Sequence, residues 1–264
     1  MIELFLLSML IGIVAGLLAG LFGLGGGVVI VPALYGLFSA QQFPNESIMI
    51  MAVATSLGTI ILTSVSSVMA HNKLGTIIWE TVFRLTPGVL LGAVMGAVLA
   101  DLLIDEMLRW FFISYLIYVG MRMATQANSM GAEKKTSKWL DYLVGNGIGF
   151  LSSILGIGGG TLTVPYLVGR HVPMKNAVAV SSACGLPIAI SGTVIYAWLG
   201  WNNIFLPEWS LGYVYLPALA GIVICSVFTA PIGAKLAYKL PAKKLKRYFS
   251  IVIFLIAIKM ILDD

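Results

Sequence analysis

The residues best suited to chemistry lie in two glycine-rich copies of one motif, at residues 22–32 and 155–165. Each copy holds a glycine triplet, ends in Val-Pro and interrupts a long apolar run. Glycine costs about 1 kcal/mol and interior proline about 3 kcal/mol relative to alanine in a helix, so the motif predicts a helix break at each copy. A helix that restarts there presents free N–H groups and its positive dipole end, a combination that binds anions. The two copies therefore predict a pair of uncharged anion-binding sites.

Serine and threonine hydroxyls on neighbouring runs supply the other donors expected around such a site. Thr55 and Ser56 lie in the run at 46–70, and Ser181 and Ser182 lie in a similar run at 176–199. A second interpretation stays open, because glycines allow close helix packing and hydroxyls in membrane helices often bridge helices or satisfy their own backbone. The predicted substrate-binding set is Gly25, Gly26, Gly27, Val28, Thr55, Ser56, Gly158, Gly159, Gly160, Thr161, Ser181 and Ser182.

The composition is that of an all-α polytopic membrane protein. Of the 264 residues 59% are hydrophobic and 10% are charged, and the mean hydropathy is +0.98. With about 20 residues per span, this length allows about eight membrane segments and no separate catalytic domain. No cofactor, metal site or ATP-binding loop is expected, since the two cysteines lack ligand spacing and no Walker motif is present. Nucleic-acid binding is excluded as well, because the basic residues lie in short loops between spans, and no enzymatic activity is predicted.

The sequence indicates an internal duplication. Residues 52–56, Ala-Val-Ala-Thr-Ser, match residues 179–183, Ala-Val-Ser-Ser-Ala, in addition to the glycine-rich copies. The predicted domains are a first membrane repeat at 1–128, a cytoplasmic linker at 129–136 and a second repeat at 137–264. Each repeat is expected to contain a Gly-rich broken or re-entrant helix hairpin plus three transmembrane helices. In the second repeat the spans are expected near 176–199, 211–234 and 245–262, and His71 is expected in a loop rather than as a proton carrier.

The distribution of charge predicts that the two repeats are inverted. If each broken helix enters and leaves the membrane on one side, an odd number of full spans remains per repeat. All but two of the 16 Lys and Arg residues then face the cytoplasm, and only Arg109 and Lys259 lie outside. This split agrees with the positive-inside rule. The arrangement predicts a multi-pass inner-membrane protein with both termini outside.

The paired motifs, the Ala-Val-Ala-Thr-Ser-Leu run at 52–57 and the Gly-Ala-Lys-Leu-Ala run at 233–237 resemble the TauE/SafE family of sulfite exporters. The resemblance extends over essentially the whole chain. It carries over to Gly23, Gly25, Gly26, Gly27, Val31 and Pro32, and to Gly156, Gly158, Gly159, Gly160, Val164 and Pro165. It implies an inner-membrane permease for a small sulfur-containing anion such as sulfite or an organosulfonate. The alternatives are a passive anion channel and a non-transporting membrane assembly subunit, and the oligomeric state is left open.

Overall fold

Helix dominates the parts of the chain that the computed structural model describes, residues 2–22, 26–125, 137–239 and 253–262. The first half contains α1 (Ile2–Phe22), α2 (Gly27–Ala40), α3 (Ile48–Lys73), α4 (Trp79–Leu102) and α5 (Asp105–Thr125). The second half contains α6 (Lys138–Ile154), α7 (Gly160–Gly169), α8 (Met174–Leu199), β1 (Ser210–Leu211), β2 (Val214–Tyr215), α9 (Leu216–Lys239) and α10 (Ile253–Leu262). Five helices, α1, α3, α4, α8 and α9, are long and apolar enough to cross a membrane. The fold is therefore that of an all-α polytopic membrane protein.

Both glycine-rich motifs fall between helices. The first lies between the end of α1 at Phe22 and the start of α2 at Gly27, and the second lies between Ile154 and Gly160. Both α2 and α7 carry a proline as their sixth residue, Pro32 and Pro165. Since proline has no N–H, it cannot donate to the carbonyl four residues earlier. Each restarted helix therefore has a weakened hydrogen-bond ladder immediately after its first turn.

The first helix of each half packs along the fourth helix of the other half. A Cβ atom on Gly12 of α1 would overlap the Ile222 carbonyl of α9, and one on Gly20 would overlap the Ala230 carbonyl. The α4 and α6 helices meet in the same way through glycines of both helices. Small residues at such a seam let helix backbones approach closely, which stabilises helix pairs in a bilayer. The glycine stripe on α1 is therefore a packing surface.

The equivalent helices α3 and α8 cross at the centre and run antiparallel. Ser67 donates to Ser182 at 3.3 Å. Toward the other ends of the helices, Leu57 Cδ1 lies 2.7 Å from the Cβ position of Gly192. As residue numbers rise along α3 they fall along α8. Antiparallel packing of equivalent helices is the geometry that an inverted repeat requires.

Basic side chains collect at one end of the bundle. At this end α3 and α9 finish and α4 and α8 begin, and the Asn176 side chain donates to the Thr76 carbonyl at 2.9 Å. The opposite end holds Arg109, whose guanidinium donates to the Met260 carbonyl near the end of α10. The basic residues at the first end are Lys73, Arg84, Arg170, Lys175 and Lys235, whereas the linker 129–136 and much of 235–247 lie outside the described residues.

Two local expectations are wrong. The span expected at 211–234 begins only at Leu216, because a β-hairpin pairing Ser210 with Tyr215 precedes it. Gly212 occupies the turn with φ of 56°, a conformation that glycine adopts at little cost. His71 belongs to the last turn of α3 and is 1% exposed, so it is a buried helical residue and not part of a loop.

Candidate functional site

The two helix breaks meet in the interior. Gly27, the first residue of α2, lies against the backbone of the second break, where an added Cβ would overlap the Gly156 carbonyl oxygen and lie 2.8 Å from Ile157 Cα. Farther along the second break, the Gly158 carbonyl lies 2.9 Å from the Cβ position of Gly185, near the middle of α8. The duplicated motif thus brings its two copies together at the centre of the bundle.

Both restarted helices begin with the same backbone geometry. Their N-cap residues, Gly26 and Gly159, have left-handed φ values of 81° and 73°. The Gly26 carbonyl accepts the first intrahelical bonds, from the amides of Val29 and Ile30, and the Gly159 carbonyl accepts the equivalent pair. The amides of the first two residues of each helix precede this ladder and have no intrahelical acceptor. Two positive helix ends therefore lie in one buried region.

Ser56 connects α3 to the second break. Its hydroxyl donates to the Gly156 carbonyl at 2.7 Å, and Ser56 is fully buried. Gly156 has φ of 66°, and a Cβ there would lie 2.8 Å from Val53 Cα, so the break is pressed against α3. The residue of α8 that corresponds to Ser56 is Ala183, which carries no hydroxyl.

Thr161, the second residue of α7, is held by a residue that sequence reasoning missed. Its hydroxyl forms a short hydrogen bond with the Tyr115 hydroxyl of α5, in which either oxygen can be the donor. Both residues are less than 10% exposed. When Tyr115 donates, the Thr161 proton is available to a ligand at the helix end. Tyr115 therefore positions the one hydroxyl in the predicted set that belongs to a restarted helix.

The remaining hydroxyls of the predicted set have other partners. The Thr55 oxygen accepts from the Tyr215 amide at 2.9 Å, and this contact fixes β2 on α3. Ser182 donates to the Val178 carbonyl at 3.1 Å in addition to accepting from Ser67. Ser181 is fully buried and also has a partner. The structure thus places Gly27 and Ser56 against Gly156 of the second break and Thr161 against Tyr115. Gly26 and Val28 flank Gly27, and residues 158–160 precede Thr161, while Thr55 and Ser182 serve contacts between or within elements. Gly25 lies outside the described residues.

The triplet glycines also have a packing role. A Cβ on Gly159 would lie 2.6 Å from Ile188 Cδ1, and positive φ at Gly26 and Gly159 disfavours any residue with a side chain. The close-packing interpretation of these glycines therefore has direct support, alongside the helix-end amides that have no intrahelical acceptor. A valine at either position would disturb the fold as well as any ligand.

Three further polar groups near the second break escaped prediction. The hydroxyls of Ser152, Ser153 and Thr163 are fully buried, and among the described residues none has a hydrogen-bond partner. Their positions in apolar runs gave only a weak signal, namely a serine pair immediately before the motif and a second threonine inside it. Buried hydroxyls in native proteins nearly always have a partner, so three together are unusual.

A charged cluster at the basic end was also missed, since no carboxylate was expected well inside a span. Asp141, in the first turn of α6, is 1% exposed. It accepts from the Tyr166 hydroxyl at 2.7 Å and from Arg170 at 2.9 Å, and Arg84 lies 4.0 Å away. Arg84 also forms an ion pair with Glu80 on the same helix, so its guanidinium contacts protein carboxylates. Across the described ranges, no three His, Cys, Asp or Glu side chains come together as metal ligands would.

Comparison with known proteins decides the family. The profile of the family described as "Sulfite exporter TauE/SafE" matches residues 8–260. The chain belongs to the TauE/SafE family. A probable membrane transporter protein of Haemophilus influenzae is 38% identical over 263 residues, which cover 99% of this chain and 100% of the relative. A probable membrane transporter protein of Methanocaldococcus jannaschii is 27% identical, over 97% of this chain and 95% of the relative.

Membership of the TauE/SafE family agrees with the apolar helices and with the names of the relatives. A third relative, the probable membrane transporter protein YunE of Bacillus subtilis, is 28% identical over 98% of both chains. Together these findings make the chain a multi-pass membrane transporter. The family and the relatives' names indicate transport rather than catalysis.

Proposed function

We propose that this TauE/SafE protein exports a small sulfur-containing oxyanion, sulfite or an organosulfonate, through a site at its two helix breaks. The observation that carries the proposal is the contact between the first residue of α2 and the break that precedes α7, where Gly27 lies against Gly156 and Ile157 in the interior. The amides that precede the ladders of α2 and α7 can donate to an anion, and their dipoles favour negative charge there. Uncharged donors bind an anion weakly enough to release it, as a transporter must.

The depth of the site supports this role. The Gly158 carbonyl approaches Gly185, which lies 11 residues into the 26-residue helix α8. Transporters with broken helices bind their substrates near the midplane, where half-helix ends meet between repeats. Non-helical backbone at such depth is tolerated when it is buried in protein or lines a water-filled cavity. The substrate is therefore expected to pass the breaks midway across the membrane.

The antiparallel packing of α3 and α8 supports an inverted topology. We propose that the two halves are inverted in the inner membrane, with the basic end in the cytoplasm and both termini outside. The support is the collection of basic residues at one end of the bundle, with Arg109 and Lys259 at the other. Positive charge is enriched in cytoplasmic loops.

Transport by purified protein in vesicles tests the function. Radiolabelled sulfite should enter protein-containing vesicles at a rate that saturates with concentration, whereas protein-free vesicles from the same lipid should show only leak. Flux that rises without saturation and carries current would favour the passive channel. Absence of flux with sulfite, with an organosulfonate and with sulfate would favour the non-transporting assembly subunit and refute the proposal.

Cysteine labelling in intact cells tests the topology. Cys184 and Cys225 are first replaced by alanine, and single cysteines are then placed at two exposed positions, Lys73 and Asn202. A membrane-impermeant maleimide should label Asn202→Cys before lysis and Lys73→Cys only after it. The reverse pattern would show the opposite orientation, and labelling of both before lysis would contradict the proposed fold of the loops.

A further inference from the structure

The two breaks share a backbone but differ in their side chains. The second motif carries hydroxyls where the first carries only apolar groups: Ser152, Thr161 and Thr163 correspond to Ala19, Val28 and Ile30. Val28 and Ile30 are at most 1% exposed, so the first break presents a packed apolar surface. A symmetric pair of binding sites would not require this difference. The polar side chains therefore point to the second break as the place where a ligand is held.

Donors without acceptors accumulate at this break. Within the described part of the chain, none of the amides of Gly158, Gly159, Gly160 and Thr161 donates a hydrogen bond. The Ser152 hydroxyl is fully buried and without a partner, and it lies 3.4 Å from the Cβ position of Gly159, the N-cap of α7. This places a free hydroxyl directly beside the helix end.

Thr163 adds a second free hydroxyl to the same helix. It lies four residues after the Gly159 cap, is fully buried, and has no partner among the described residues. Burying a hydroxyl without a partner is unfavourable. Alanine at position 152 and valine at position 163 would fill the same space without burying a hydroxyl. Packing alone therefore does not explain why Ser152 and Thr163 are present.

We infer that only the second break contributes side chains to the binding of the transported anion, and that Ser152 and Thr163 are specificity-determining residues that bind its oxygen atoms. This inference rests on the proposed function. The donors comprise amides from consecutive residues and hydroxyls from two helices, so they suit an anion with several oxygens rather than a single-atom halide. A pyramidal sulfite or a sulfonate head group presents three such oxygens.

Transport kinetics in sulfite-loaded vesicles test the inference. Ser152→Ala and Thr163→Val should each raise the KM for sulfite by about tenfold or more, because each removes a hydrogen bond to a charged ligand. Thr163→Ser should restore the wild-type KM. The thermal midpoint of the substrate-free protein should stay the same or rise in both variants, since neither hydroxyl has a hydrogen-bond partner to lose among the described residues.

Two matched controls separate binding from packing. Ser153→Ala removes a neighbouring buried hydroxyl without a partner that lies 3.1 Å from the Cβ position of Gly192 on α8, away from the helix end. Ile30→Val places in the first break the same residue that Thr163→Val places in the second. Both controls should keep the wild-type KM.

The outcomes are distinguishable. Wild-type protein that moves no sulfur oxyanion would refute the proposed function. Wild-type protein that moves sulfite, with Ser152→Ala and Thr163→Val at wild-type KM, would refute the inference and leave the function intact. An equal rise in KM for Ile30→Val would show that both breaks bind the anion and would overturn the one-sided site. If Ser152→Ala fails to insert, Thr163→Val and its serine counterpart decide the question alone.

Discussion

Replacing Ser56 by alanine tests how strongly α3 holds the second break. The Ser56 hydroxyl donates to the Gly156 carbonyl at 2.7 Å, and both residues are buried. Hydrogen bonds between membrane helices contribute about 0.6 kcal/mol on average and up to about 1.7 kcal/mol. A buried carbonyl left without its donor costs about 1–3 kcal/mol. Because the Gly156 carbonyl faces Gly27 rather than solvent, we expect a loss near the overlap of these ranges, about 1–2 kcal/mol.

The assay is thermal unfolding of the purified protein in detergent. In a protein of this size each kcal/mol lowers the midpoint by about 2–4 °C, so Ser56→Ala should lower it by about 2–8 °C. Ser191→Ala is the matched control, because the Ser191 hydroxyl bonds only within α8, to the Pro187 carbonyl at 2.7 Å and the Ile188 carbonyl at 3.2 Å. The control should shift the midpoint by less than half as much. Equal shifts in the two variants would refute the tether between α3 and the break.

Two further predictions concern the scaffold that positions the breaks. Asp105→Asn should lower the thermal midpoint by about 2–4 °C, because the Asp105 carboxylate accepts from the amides of Met49 and Ile50, the second and third residues of α3, at 2.8 and 3.0 Å. Such a cap contributes about 1 kcal/mol. The exposed neighbour Glu106→Gln should leave the midpoint unchanged, and equal stability of both variants would remove the capping role. Gly149→Leu should sharply reduce the amount of folded protein in the membrane, because a Cβ at this position would overlap the Val89 carbonyl of α4. Gly147→Leu on the same helix is the matched control, because a Cβ at Gly147 meets no atom within 4 Å. Abundance measured by size-exclusion chromatography checks this pair, and equal recovery would contradict the packing of α4 on α6.

The helices and their interruptions followed from the sequence because the forces that set them are local. An apolar run of about 20 residues is stable in a bilayer only as a helix, and three consecutive glycines near a proline weaken that helix wherever they occur. The breaks at 22–27 and 154–160 and the membrane class were therefore predictable from composition and spacing. The division of the chain into two repeats stays a prediction, which is based on the same glycines in both copies of the motif.

The partners of the hydroxyls were decided only by the tertiary structure. Ser56 bonds to Gly156, Thr55 to Tyr215 and Thr161 to Tyr115, although each pair is separated by 46 residues or more along the chain. A hydroxyl in an apolar helix can bond to its own turn, to another helix or to a ligand, and the three outcomes have similar free energies.

The same reason explains why Ser152 and Thr163 escaped prediction. Their distinguishing property is the absence of a partner within the described residues, and a sequence cannot display it. Helix α1 packs on α9, and α6 packs on α4. These contacts between the two halves determine which side chains enclose each break. Local residue types set the ends of the helices. The packing of one half against the other leaves particular hydroxyl and amide donors without an acceptor at the helix breaks.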